Sequence, residues 1–141
     1  MGFFSSMDIS ASALTAERFR LDVIAENIAN MNTTRTAEGG PYRRKVVSFE
    51  QIEKPFAAYL DDSFKGAGVR VNAVNTDNSP FKLVYDPNHP DANEDGYVEM
   101  PNVDIVTEMI DMISASRAYE ANITALNSFK NIAMRALEIG K

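Results

Sequence analysis

The stretch from Asn102 to Ile139 contains neither proline nor glycine. A single helix over it would be about 57 Å long at 1.5 Å per residue. That is roughly twice the width of a compact domain of this size, so any fold for the chain has to find cover for such a helix. Steps of four and three residues from Ile105 land on Ile105, Met109, Met112, Ser116, Tyr119, Ile123, Leu126, Lys130, Ala133 and Leu137. Most are apolar and the register holds throughout, which predicts a heptad-like seam. Pro101 and Asn102 read as the helix start, Asp104 suits the positive end of its dipole, and Gly140 reads as its stop. Val106, Ile110, Ile113, Phe129, Ile132 and Met134 lie off that seam. One partner helix covers one stripe, so this helix needs more than one neighbour.

A second helix is predicted from about Asp8 to Met31, roughly 35 Å long. Leu14, Leu21 and Ile28 recur every seven residues, with Ile24 and Met31 offset by three. Asp8 or Ser10 reads as its cap, and the polar cluster NMNTTRTAEGGP ends it. Between the helices the chain changes character. YRRKVVSFEQI, GVRVNAV and FKLVY are candidate strands of a small antiparallel unit, joined by the loops DSFKGAG and DPNHPDANEDG. The predicted class is therefore α+β: two long terminal helices pairing as a coiled coil around a small β-rich insertion. The divisions are an N-terminal helical segment over 1–34, the β-rich unit over 35–100 and the C-terminal long helix over 101–141. The overhanging apolar surface is covered either by the β unit packing along it or by other subunits of an assembly.

Composition narrows the functions. The chain is globular in its balance, with 45% hydrophobic and 24% charged residues. A net charge of -6 disfavours general binding to nucleic acid or anionic membranes, which need a positive field. With no cysteine, disulfides, thiolate metal sites and cysteine nucleophiles are excluded. No apolar run approaches the ~20 residues of a membrane span. The N-terminus lacks a basic region followed by an apolar stretch, so no cleavable secretory signal is expected.

The short motifs favour ordinary readings. MGFFSS fits the acylation pattern at Gly2, but Phe3 and Phe4 are expected to pack against a helix or a partner. Asp91, Asn93, Asp95 and Gly96 mimic the first half of a calcium loop. Its twelfth position is Asn102 where a bidentate Glu belongs, so a polar turn is expected. His89, between two prolines, reads as a solvated loop residue, and KGAG reads as a turn. Arg43, Arg44 and Lys45 alternate faces on a strand and form no flat basic patch. The amides are less ordinary. Asn27, Asn30, Asn122, Asn127 and Asn131 sit within helical segments although asparagine is a mediocre helix former. They either face water or set pairing between helices.

NIANMNTTRTAEGGPYRRKVV resembles the N-terminal signature of the bacterial flagellar rod and hook family, with its core at Asn27, Ile28, Ala29, Asn30 and Thr33. The segment from Pro101 to Gly140 resembles the C-terminal signature of the same family, most tellingly at Asn102, Val103, Glu108, Met109, Arg117, Tyr119, Glu120, Asn122 and Lys130. The short length and small insertion resemble the proximal rod members rather than the distal rod and hook members.

The resemblance implies a structural subunit with no enzymatic activity and no cofactor. It implies export through the flagellar type III apparatus without a cleaved signal. It also implies helical polymerisation into the basal-body rod, at the level of the periplasm or cell wall, which carries torque from the membrane ring to the hook. Partners implied are copies of itself, other rod proteins, and membrane-ring and rod-adaptor proteins, with no nucleic acid and no direct membrane span. On that reading Leu14, Leu21, Ile24 and Ile28 pack against Met109, Met112, Tyr119, Ile123 and Leu126. Asn27, Asn30, Thr33, Arg117, Glu120 and Asn122 are polar residues of the assembly interface. Rival readings are another short rod protein, a helical adaptor with one partner, and an enzyme with a carboxylate pair in the β unit.

Overall fold

The computed structural model describes residues 3–53 and 67–139. The readings placed on Gly2, on Lys65 and Gly66, and on Gly140 lie outside them, as do the contacts expected of the Phe3 and Phe4 side chains. The described chain runs α1 (Phe3–Ala29), β1 (Lys45–Gln51), β2 (Val69–Thr76), β3 (Lys82–Tyr85), β4 (Tyr97–Met100) and α2 (Ile105–Ile139). Two long helices flank a small antiparallel insertion, as the sequence patterns predict.

The helices are antiparallel. Asn27 near the end of α1 meets Glu108 at the start of α2, and Arg20, about two turns earlier in α1, meets Asp111, further along α2. At 1.5 Å per residue α1 is about 40 Å long and α2 about 52 Å. The longer helix begins at Ile105, three residues after Asn102, because Asn102 is occupied elsewhere. Its Oδ1 accepts from the Arg44 amide and its Nδ2 donates to the carbonyls of Asp77 and Ser79. Asp104 is the cap: its carboxylate accepts from the Thr107 amide and hydroxyl. The first helix begins earlier than Asp8 or Ser10, so neither caps it. Ser10 is instead a buried residue inside α1.

α1 lies between α2 and the β1–β2 hairpin, and contacts all three elements. This position widens its buried surface beyond a single stripe. Ala16, Val23, Ile24 and Asn27 are buried, while Leu14, Leu21 and Ile28 are half-buried. No described strand lies along α2, so among the described residues the strands of the β unit do not cover its overhang.

Among the described residues the β unit is two separate two-stranded sheets, β1–β2 and β3–β4. In the first, Val69, Val71 and Ala73 alternate toward α1. The register slips at Ser48/Phe49, where Asn72 is left without a partner in a bulge. The hairpin is seated on α1 at Gly68, which has φ +89 and where a side-chain carbon would stand 2.4 Å from Ser12 Oγ. Only glycine fits both the backbone angle and the approach. The Ser12 hydroxyl accepts from the Val69 amide and donates to the Ile9 carbonyl. The fourth strand, Tyr97–Met100, directly follows the loop DPNHPDANEDG and is not among the candidate strands. It pairs with Lys82–Tyr85 around a turn where Gly96 has φ +79. Val98 is buried, as are Pro101 and Val103 that follow it. Lys82 Nζ donates to the Val103 carbonyl and so ties this hairpin to the start of α2.

Candidate assembly site

Where α1 ends and α2 begins, the chain buries a polar cluster. Asn27 is 1% exposed and Glu108 is 0% exposed. The Asn27 amide uses its full capacity. Its Nδ2 donates to the Lys45 carbonyl at 2.9 Å and to Glu108 Oε2 at 3.1 Å. Its Oδ1 accepts from the Lys45 amide and from the Tyr42 hydroxyl, both at 2.9 Å. Glu108 Oε1 accepts from Arg44 Nε at 2.5 Å, and Arg44 also reaches Asp111 at 3.0 Å and Asp77 at 4.0 Å. Burial works against the Arg44 charge, but the hydrogen bond to Glu108 and the carboxylates of Glu108, Asp111 and Asp77 outweigh it, so its pKa is raised. Five segments meet here: both helices, the loop carrying Tyr42, the start of β1, and Asp77 after β2. The cluster fixes how the helix pair leaves the β unit.

Tyr42 reports on this junction. Burial first, then the Glu26 and Glu108 carboxylates, push its phenol from 10.0 up to about 12. Because the folded value is raised, the stability it contributes is intact below pH 10 and lost as pH rises toward about 12. Ultraviolet titration is expected to show one of the five tyrosines ionising last, with loss of helical circular dichroism. Uniform ionisation near pH 10 with the helices intact would contradict a buried Tyr42–Asn27 hydrogen bond.

The basic triplet goes three ways. Arg43 lies over the Phe81 ring at 4.1 Å, Arg44 enters the junction, and Lys45 pairs with Glu26 at 2.5 Å. The calcium-like loop spends its groups on the chain itself. Asn93 Oδ1 accepts from the Asp95 and Tyr97 amides. The Asp91 carboxylate accepts from Thr34 and Arg35, and these two partners hold it below the ordinary carboxylate range. His89 Nδ1 accepts from the Asp91 amide. A cleft of about 580 Å³ between these loops, lined by Thr34, Arg35, Asn93, Tyr97 and Glu99, is thus clamped by Asp91. Among the described residues no cluster of three or more His, Asp or Glu is arranged for a metal ion, and no helix is long and apolar enough to cross a membrane.

The seam of α2 departs from the apolar register by one residue at alternate positions. Met112, Tyr119, Leu126 and Ala133 are at least half-buried, as the spacing predicts. The other half of the seam is Glu108, Ala115, Asn122 and Phe129, each one residue before the predicted position; Met109, Ile123 and Lys130 are exposed and Ser116 is half-buried beside the fully buried Ala115. Met109 is 53% exposed and Ile123 is 37% exposed. Glu108 and Asn122 carry no hydrophobic signal. Glu108 is buried because Arg44 and Asn27 meet it there, and Asn122 donates to the Ala118 carbonyl at 2.8 Å. Arg117 and Glu120 are exposed on the face away from α1. Asn30 acts locally, donating to the Glu26 carbonyl and accepting from the Thr33 hydroxyl. Opposite the seam, Val106, Met109, Ile110 and Ile113 stand bare.

Two family models match the chain. The one described as flagella basal body rod protein covers residues 7–35, and the one described as flagellar basal body rod FlgEFG protein C-terminal covers residues 94–139. Among curated relatives, the flagellar basal-body rod protein FlgC of Bacillus subtilis is 49% identical over 100% of both chains. The FlgC of Borreliella burgdorferi is 51% identical over 99% of this chain and 98% of its own. The FlgC of Aquifex aeolicus is 42% identical over 100% of this chain and 99% of its own.

Proposed function

The chain belongs to the flagellar basal-body rod protein family, and from that membership we propose that it is a structural subunit of the rod, polymerising helically in its proximal part. The observation that carries this reading beyond the family is the bare surface of α2. Its apolar residues outside the α1 seam have no cover within the described chain. Apolar surface of that extent on a helix calls for further neighbours. Repeated heterologous contacts supply them in a filament.

The neighbours are copies of this chain and other rod proteins, with membrane-ring and rod-adaptor proteins at the base. The route is the flagellar export apparatus, and the site of action is the basal body. Leu14, Leu21, Ile24, Ile28, Met112, Tyr119, Asn122 and Leu126 act by holding the helix pair, and Asn27 with Asn30 and Thr33 by fixing its exit from the β unit. Met109, Arg117, Glu120 and Ile123 face the adjoining subunits. The chain's role is mechanical: the junction at Glu108 and Arg44 transmits load between the helix pair and the outer β unit.

The test is complementation of a strain lacking the gene with a tagged copy, followed by purification of hook–basal bodies. The tag is expected in the rod fraction, with hooks restored only when the chain is present. Absence of the tag from purified basal bodies would overturn the reading. A discrete, concentration-independent complex with one soluble partner would favour an adaptor instead.

A further inference from the structure

Two apolar surfaces lie at opposite ends of α2. The first is on its face away from α1, in its first two turns. Val106, Met109, Ile110 and Ile113 follow the i, i+3, i+4, i+7 spacing of one helix face and are 60%, 53%, 62% and 53% exposed. Beyond them the same face turns polar, with Arg117, Glu120 and Thr124 all exposed. The second is the far end. With Asn27 level with Glu108 in an antiparallel pair, Phe3 at the start of α1 comes level with about Ile132. Among the described residues the seam of α2 continues past that point without a partner helix: Leu137 is 76% exposed, and Ile132 and Met134 are exposed beside it.

We propose that the first two turns of α2 receive the overhanging last two turns of the C-terminal helix of another rod-family subunit. This rests on the rod-subunit reading. The two surfaces match in length, each about two turns or ~11 Å. They are about 40 Å apart along one rigid helix, so they cannot meet within a molecule. Their contact is heterologous, each subunit offering one surface up and one down, and such contacts propagate instead of closing. Size selects the same occupant. A handful of side chains falls well short of the ~800 Å² per partner of a stand-alone complex. The contact is therefore weak for free subunits and counts only when a polymer holds many in register. A subunit travelling singly stays single; one seated on a growing rod is held at both ends of its helix.

The test places the photoreactive residue p-benzoylphenylalanine at Ile110 in cells that build rods, followed by irradiation, purification of basal bodies and mapping of the joined peptide. The expected adduct is to the last two turns of a rod subunit's C-terminal helix. Placing the same residue at Leu137 is expected to give the reciprocal adduct, to residues 106–113 of this chain or the equivalent turns of a sibling, and serves if the first variant fails to assemble. Adducts from Ile110 to residues 106–113 of a second copy would mean a closed back-to-back contact and overturn the proposal. So would adducts to a neighbour's β unit, or none in rods that form normally. Rods that assemble with the wrong adduct defeat this inference alone; absence of the chain from basal bodies defeats the rod-subunit reading.

Discussion

Glu108→Ala is expected to cost about 3–5 kcal/mol of folding stability, the range for removing one partner of a buried ion pair. The side chain is 0% exposed and joins Arg44 to Asn27. Its loss strands a guanidinium that keeps only Asp111 and a more distant Asp77, and leaves one Asn27 donor without a partner. Asp111 remains within reach, which places the effect toward the lower end of the range. Glu108→Gln keeps the shape but points an amide donor at either Arg44 or Asn27, both donors, and is expected to fall between wild type and alanine. Urea unfolding with an unchanged slope measures both. The double variant Arg44→Met with Glu108→Leu is expected to recover much of the loss, since replacing a buried pair by apolar side chains is often neutral. A loss below about 1 kcal/mol for the alanine variant would match a solvated surface pair and contradict the buried junction.

The same residue shows what could be read in advance and what could not. The long helix, its partner and three of the four strands were legible, because each is a local pattern: a run without breakers, a seven-residue repeat, alternating β-branched residues. Half of the α2 seam was legible for the same reason, at Met112, Tyr119, Leu126 and Ala133. The other half was not, because an apolar ranking prefers Met109 and Ile123 to their neighbours Glu108 and Asn122. Glu108 is buried by partners 64 and 81 residues away in the chain, and no periodicity carries that information. Asn27 stood out as an amide in a helix, but not its partners Lys45, Tyr42 and Glu108. β4 escaped because YVEM is four residues long and follows a turn-rich loop; only its pairing with β3 makes it a strand. The exposed face at Val106, Ile110 and Ile113 was legible as apolar excess, and no described strand lies along it.

Leu126→Asp is expected to abolish rod assembly while leaving synthesis and export of the subunit in place. Leu126 is a half-buried seam residue, and in the antiparallel register set by Asn27 and Glu108 it comes level with Ile9 of α1. A carboxylate there must either be drawn out of water or push the two helices apart. It sits far from the junction and from the β3–β4 hairpin, at the level of α1 where Gly68 of the β1–β2 hairpin is seated against Ser12. The damage is therefore expected at the end of the helix pair, with the β3–β4 hairpin and the Tyr42 environment unchanged. Swarming is expected to fall to the level of a strain without the gene, with no hooks in purified envelopes and the exported subunit detected in normal amount. Asn127→Asp places the same charge one residue along, where the side chain is exposed, and is expected to leave swarming within about twofold of wild type because surface changes away from such seams are nearly neutral. Rods forming normally with Asp at 126 would mean that the free ends of the helices need not pair. Equal damage from Asp at 127 would assign the effect to charge on the outer face of α2. Only the combination of a lost rod with Leu126→Asp and a normal one with Asn127→Asp identifies the α1–α2 seam as the element that assembly requires.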